Sequence, residues 1–249
     1  MVQGIDKFRE YFKEDIDNYI IIGGLATALI VGDLGFIARA TKDIDLVVIA
    51  NNNEEFIKKF LRFIKEGDYK TKQRTKNESK RNLFRFFNSA DKDYPEMLEL
   101  FAVHDEDSQI VTDGNIIPIE TPEFYDYLSA ILLDRDYYDL LVKYTTNIDD
   151  LHIATTEVLI PLKMHAHINL IGGKAHYDDK HLKDVIRLTA LLDGENIELK
   201  GNPKKDYIEF LPLLEEVDQD RINSIYRSMG AKSLQKDELI ELLKKTYEM

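Results

Sequence analysis

Two textures of apolar residues divide the chain. Up to about residue 119 they come in short runs bounded by glycine, asparagine or charge, a pattern that predicts strands with helices between them. The run Tyr19 to Ile22 breaks at Gly23-Gly24 and leads into Leu25 to Val31, predicting a strand, a glycine turn and a short buried helix. Lys42 to Ile49 predicts the next strand. Asn51-Asn52-Asn53 can cap a helix from Glu54 to Glu66, with Phe56, Phe60 and Phe63 at helical spacing and Gly67 as its stop. Asn82 to Phe87 and Met97 to Val103 predict two further strands, and Ile116 to Ile119 a last one. From the helix-start sequence Thr121-Pro122 onward the spacing is helical. It predicts helices over Glu123 to Leu133, Tyr137 to Lys143, Thr156 to Leu170, Lys180 to Leu192, Lys204 to Glu216, Gln219 to Ser228 and Lys236 to Tyr247. The change of texture puts a boundary near Val111 to Pro118, hence an α/β domain over 1–115 and a helical domain over 116–249. The fold class expected is α+β, a mixed sheet covered by helices and followed by helices alone.

The strand Lys42 to Ile49 carries the first chemistry. Asp43 and Asp45 are two apart, so their carboxylates share one face while Ile44 and Leu46 take the other. Two like charges on a largely apolar strand repel each other and resist desolvation unless a cation joins them. Mg²⁺ fits that need, since it is usually held by one or two carboxylates together with nucleotide phosphates and water. The Gly23-Gly24 turn offers the complementary half, because free N–H groups at a helix N-terminus and a closely approachable backbone suit a phosphate. Glu99 is the one acid in Met97-Leu98-Glu99-Leu100-Phe101 and needs a partner of its own, either a metal or a salt bridge.

Charge narrows the partners. With 249 residues and 44% hydrophobic content the chain can bury a sizeable core, and its net charge of −13 argues against a broadly basic nucleic-acid binder. The balance inverts locally: Lys70, Lys72, Arg74 and Lys76 alternate with other residues, so an extended strand puts them all on one face. That face is either a lysine-protected sheet edge or a basic wall touching a triphosphate or an RNA acceptor. The absence of cysteine suggests a reducing compartment, and the expected location is cytoplasmic. The charged start resembles no signal peptide, and Tyr19 to Val31 falls short of the roughly 20 residues a bilayer needs, so no membrane partner is expected.

In the second half, Pro161 should bend its helix. Lys163 and His167 are four apart and share a face, Leu159, Leu162 and Ala166 form the packed one, and Lys180 and Asp184 share a face of the next helix. Residue pattern alone reads these charges as solvated. His165 and His167 leave a helix on different faces, which argues against zinc chelation.

Gly23-Gly24 followed by Arg39-x-Thr41-x-Asp43-Ile44-Asp45-Leu46 resembles the signature of the DNA polymerase beta-type nucleotidyltransferase superfamily, in its AbiEii-like branch, which includes toxins of toxin-antitoxin pairs. The span from Gly24 to Asp43 is longer than is typical of the superfamily. The resemblance covers roughly the first 195 residues. It implies a nucleotidyltransferase-like sheet and transfer of a nucleotidyl group from an NTP, with Mg²⁺ or Mn²⁺ held by Asp43, Asp45 and Glu99. Glu99 stands where an aspartate is usual. The nucleotide-binding set implied is Gly23, Gly24, Arg39, Thr41 and Lys163. Lys163 with Ala166, and Asp184 with Val185, match two further helical motifs and extend the catalytic set to Lys163 and Asp184. Leu170 stands where an arginine is usual and His181 where an aspartate is usual, leaving Lys174 or Lys180 as the basic contact. The partners implied are an acceptor hydroxyl on RNA or tRNA, a protein or a small molecule, and a small antitoxin protein. Two rival readings remain, a nucleotide-binding protein without turnover and a partner-binding module with an acidic surface.

Overall fold

A computed structural model describes residues 2–49, 54–71, 85–88, 91–103, 116–118, 129–171 and 179–248. Its first half follows the sequence pattern. Helix α1 (Ile5–Phe12) buries Ile5, Phe8 and Phe12 along one stripe, and α3 (Glu54–Glu66) buries Phe56, Phe60 and Phe63 along another. The two stripes meet: the Phe12 and Phe63 rings lie 5.2 Å apart, and Phe8 stands edge-on to Tyr19 at 5.5 Å. Tyr19 begins β1 (Tyr19–Ile22), whose four residues are all buried, as expected of a strand covered on both faces.

The sheet is mixed. β1 pairs antiparallel with β2 (Asp43–Val48), which pairs parallel with β5 (Met97–Ala102). Beyond β5 lie β4 (Arg85–Phe87) and the short β3 (Lys70–Thr71). The second half of the chain contributes to the same sheet, which corrects the expectation of helices alone after residue 119. β6 (Ile116–Pro118) pairs with β7 (Ser129–Leu132), and β7 joins the C-terminal end of β5. β8 (Thr145–Ile148) and β9 (Leu151–Ala154) form a hairpin that runs β9 parallel to β1. The segment Ser129–Leu132, expected to be the end of a helix, is therefore a strand, and the boundary drawn at 115/116 falls within the run of sheet strands. The resulting order is β3-β4-β5-β2-β1-β9-β8, nine strands among the described residues once β6 and β7 are added, and the α+β class holds.

Between the strands of the second half, α4 (Arg135–Lys143) is capped by Asp134, whose carboxylate accepts the N–H of Asp136 at 3.0 Å. The remaining helices are α5 (Thr156–Ile171), α6 (Lys180–Thr189), α7 (Gly201–Glu215), α8 (Gln219–Met229) and α9 (Lys236–Tyr247). The central one is α5, which packs on α2 (Gly23–Asp33), α6 and α7. Its burial on several sides corrects the amphipathic reading: Leu159, Lys163, Met164 and His167 are all buried. Pro161 removes the donor that would have bonded the Glu157 carbonyl, and the Tyr247 hydroxyl of α9 supplies one at 2.8 Å.

Candidate functional site

The turn out of β1 is built around a carboxylate. Gly23 adopts φ +72°, a left-handed conformation suited to glycine, and a Cβ there would run into the Asp45 side chain. A Cβ on Gly24 would come 2.6 Å from Thr41 Oγ1, so both glycines are needed for close approach. Asp45 lies opposite Ile22 in the β1–β2 ladder and accepts the Gly24 N–H. One of the helix-start donors expected to be left for a phosphate is thus already used by Asp45.

Asp43 and Asp45 share a face of β2, both partly buried. Burial is the main reason their carboxyls titrate high. For Asp43 the Lys180 ammonium pulls the other way. Asp45 is pushed up to about 7, with the nearby Glu99 adding to the effect of burial and Lys163 opposing it. Glu99 pairs with Asp45 in register across β2 and β5, is itself buried, and forms an ion pair with Arg85 on β4. Among the described residues no group of three or more His, Asp or Glu side chains is placed to hold a metal ion. Glu99, expected beside Asp43 and Asp45 as a third ligand, has a cation already.

Lys163 and Asp184 do meet. The buried Lys163 Nζ lies 3.1 Å from Asp184 Oδ2, and the Arg39 and Arg187 guanidiniums reach the same carboxylate at 3.5 Å and 3.1 Å. Burial opposes charge on Asp184, yet these cations hold its carboxyl below the ordinary range. Arg187 was not singled out from the sequence, although its position three residues after Asp184 is a readable helical charge pair.

These residues border one cavity of about 590 Å³. Gly23, Gly24, Arg39, Thr41, Asp43, Asp45, Lys163 and Lys180 all line it, so the predicted set converges apart from Glu99 and the enclosed Asp184. Its wall continues over Phe101, Leu133, Leu162 and Ala166 to Asp134, Tyr137 and His165. That last group was missed. Tyr137 O–H donates to Asp206 Oδ2 at 2.7 Å, and His165 Nδ1 lies 2.7 Å from the same oxygen. Tyr137 and Asp206 stand 69 positions apart, so no local pattern announces their pairing. His165 and His167 diverge as expected, with His167 buried 5.4 Å from the Phe210 ring. Lys70 is exposed on β3; Lys72, Arg74, Lys76 and Lys174 lie outside the described residues.

No family model and no curated protein matches the chain. Solved structures do. An antigenic nucleotidyltransferase-like protein from Paracoccidioides brasiliensis is similar with TM-score 0.46 and 12% identity, over 91% of this chain and 94% of that one. The antibiotic-resistance factor ANT(2'')-Ia is similar with TM-score 0.41 and 16% identity, over 85% of this chain and 91% of its own. JHP933 from Helicobacter pylori is similar with TM-score 0.41 and 16% identity, over 97% and 86%. Among the described residues, no helix is long and apolar enough to cross a membrane.

Proposed function

We propose that the cavity binds a nucleoside triphosphate and that the protein is a nucleotidyltransferase. The observation that carries this reading is the meeting of two opposite charge arrangements at one cavity: paired carboxylates that resist ionisation, and Lys163 and Arg39 in its wall, held from behind by Asp184, which Arg187 also reaches. In the first arrangement burial and repulsion outweigh the nearby Lys163 and Lys180, and the second carries cationic charge in excess. A triphosphate accompanied by a divalent ion complements both.

Asp43 and Asp45 fit a hard divalent cation, Mg²⁺ or Mn²⁺, because they offer oxygen donors whose raised pKa values reflect unrelieved burial and repulsion. Such an ion, when bound, supplies charge neutralisation at the phosphates. Glu99, paired with Arg85 through Oε1, could join through its other oxygen. Gly23, Gly24, Arg39 and Thr41 would contact the triphosphate. Lys163 would direct its ammonium to the charge that develops as pyrophosphate leaves, with Asp184 restricting its rotamers. In the transfer an acceptor oxygen bonds to the α-phosphorus while the bond to pyrophosphate breaks.

The finer reading, an AbiEii-like toxin of a toxin-antitoxin pair, rests on the sequence motif. It brings a small antitoxin protein as partner and an RNA or tRNA acceptor approached along Lys70, Lys72, Arg74 and Lys76. A second reading, nucleotide binding without turnover, is favoured by one observation, the engagement of Glu99 by Arg85. Thermal unfolding with each NTP and Mg²⁺, followed by a pyrophosphate-release assay with RNA supplied, separates the two. Stabilisation with release supports transfer, stabilisation without release supports binding alone, and neither overturns both. In an active preparation Lys163→Ala should lower turnover by orders of magnitude, and adding Asp184→Ala should cost little more, because coupled residues are non-additive.

A further inference from the structure

The cluster of Tyr137, His165 and Asp206 has no part in holding the triphosphate, yet it presents a fixed polar edge beside apolar walls of the same cavity. His165 is two residues from Lys163 on α5, so the two side chains leave the helix in nearly opposite directions, with Leu162 and Ala166 also in the cavity wall. We propose that this cluster reads the base of the bound nucleotide, selecting adenine and cytosine, which carry an amino group at the purine 6- or pyrimidine 4-position, over bases with a carbonyl there. The inference rests on the cavity being a nucleotide site.

The tautomer of the His165 imidazole sets the selection. An Asp206 carboxylate can only accept hydrogen bonds, so both groups held at 2.7 Å from its Oδ2, the Tyr137 hydroxyl and His165 Nδ1, must be donors. With the imidazole neutral, a proton on Nδ1 leaves Nε2 as an acceptor. The ring is held in place from a second side by the Tyr137 ring, 5.1 Å away and tilted by 51°. Nε2 now accepts from Asn169 Nδ2 at 2.9 Å, an exposed side chain one helical turn on. Solvent can replace the amide at little cost, so a base amino group can take its position. Phe101, Leu133, Leu162 and Ala166 supply apolar wall for the faces of a base. An amino N–H would satisfy Nε2. A carbonyl would set two acceptors against each other, the kind of mismatch a hydrogen-bonding site rejects.

The test is direct binding at pH 8 by calorimetry, with Mg²⁺ present, comparing ATP with inosine triphosphate and CTP with UTP. Within each pair the group at the stated position changes from amino to carbonyl. Wild-type protein should bind ATP and CTP about tenfold more tightly than their carbonyl partners. His165→Phe, which keeps a ring and removes the acceptor, should bring both ratios close to one. Equal affinities within both wild-type pairs overturn the inference while leaving the nucleotide site standing. A preference retained in His165→Phe also overturns it. No binding by any of the four overturns the site reading itself. Should His165→Phe fail to fold, judged by circular dichroism, the wild-type ratios decide alone.

Discussion

Asp45 and Asp184 are both carboxylates set into the protein beside Lys163, and their surroundings drive them in opposite directions. Asp184 is fully buried, yet Lys163, Arg39 and Arg187 keep its carboxyl below the ordinary range. At Asp45 burial, with Glu99 and Asp43 as neighbours, raises the carboxyl to about 7. Burial opposes charge on both groups; at Asp184 three cations overcome it, and at Asp45 Lys163 alone does not. At Asp184 cations outnumber the carboxylate. At Asp45 burial and neighbouring carboxylates outweigh Lys163, which is why the divalent cation is assigned there.

Removing Asp184 should have the largest effect on this contrast. Asp184→Ala leaves the covered Lys163 and Arg187 without their shared counter-charge and should cost about 3–5 kcal/mol by chemical denaturation. A loss under about 1 kcal/mol would show that solvent reaches these cations and that the region is not closed.

Asp45 should behave in the opposite sense. Its folded pKa lies above its ordinary 3.8, so the native protein retains a proton that the unfolded chain gives up. That contribution is present at low pH and is lost as pH rises from about 4 to about 7. Asp45→Asn should stabilise the ligand-free protein at pH 8 by about 1–2 kcal/mol, with most of the gain gone at pH 4, and should abolish stabilisation by Mg²⁺ with NTP. Equal stability of wild type and variant across that range would remove the unmet charge from the account.

Much of the Asp45 region could be read from the sequence, and much of the Asp184 region could not. Short local signals suffice for a glycine pair and a carboxylate pair two residues apart: the first sets a turn and the second sets a face. Lys163 and His167 looked solvated because a helix surrounded by other helices does not advertise it; only α2, α6 and α7 packing on α5 buries them. The β8–β9 hairpin was hidden differently. Its two turn residues, Asp149 and Asp150, take φ of 51° and 57° without the usual glycine, so the turn signal was lost in a charged stretch. The Glu99–Arg85 pair depends on β4 lying beside β5, a tertiary fact that an acid in an apolar strand leaves open.

The smallest effect concerns His167, a buried imidazole beside the Phe210 ring. Burial lowers its pKa, helped by Arg221 and opposed by Asp179. The unfolded chain binds a proton below about pH 6.5 that the folded chain refuses, so stability is held above that pH and falls below it. His167→Gln should flatten that fall in a denaturation series. An unchanged slope would place the titrating group elsewhere.

If Asp45 takes up a cation delivered with a nucleotide, binding must release the proton it holds near neutral pH. Mg²⁺ with ATP should be titrated into the protein by calorimetry in two buffers of different ionisation enthalpy, at pH 6.5 and again at pH 8.5. With Asp45 titrating near 7, binding at pH 6.5 should expel about 0.8 of a proton, and at pH 8.5 almost none. Binding with the same proton count at both pH values, or no binding at either, would contradict the account.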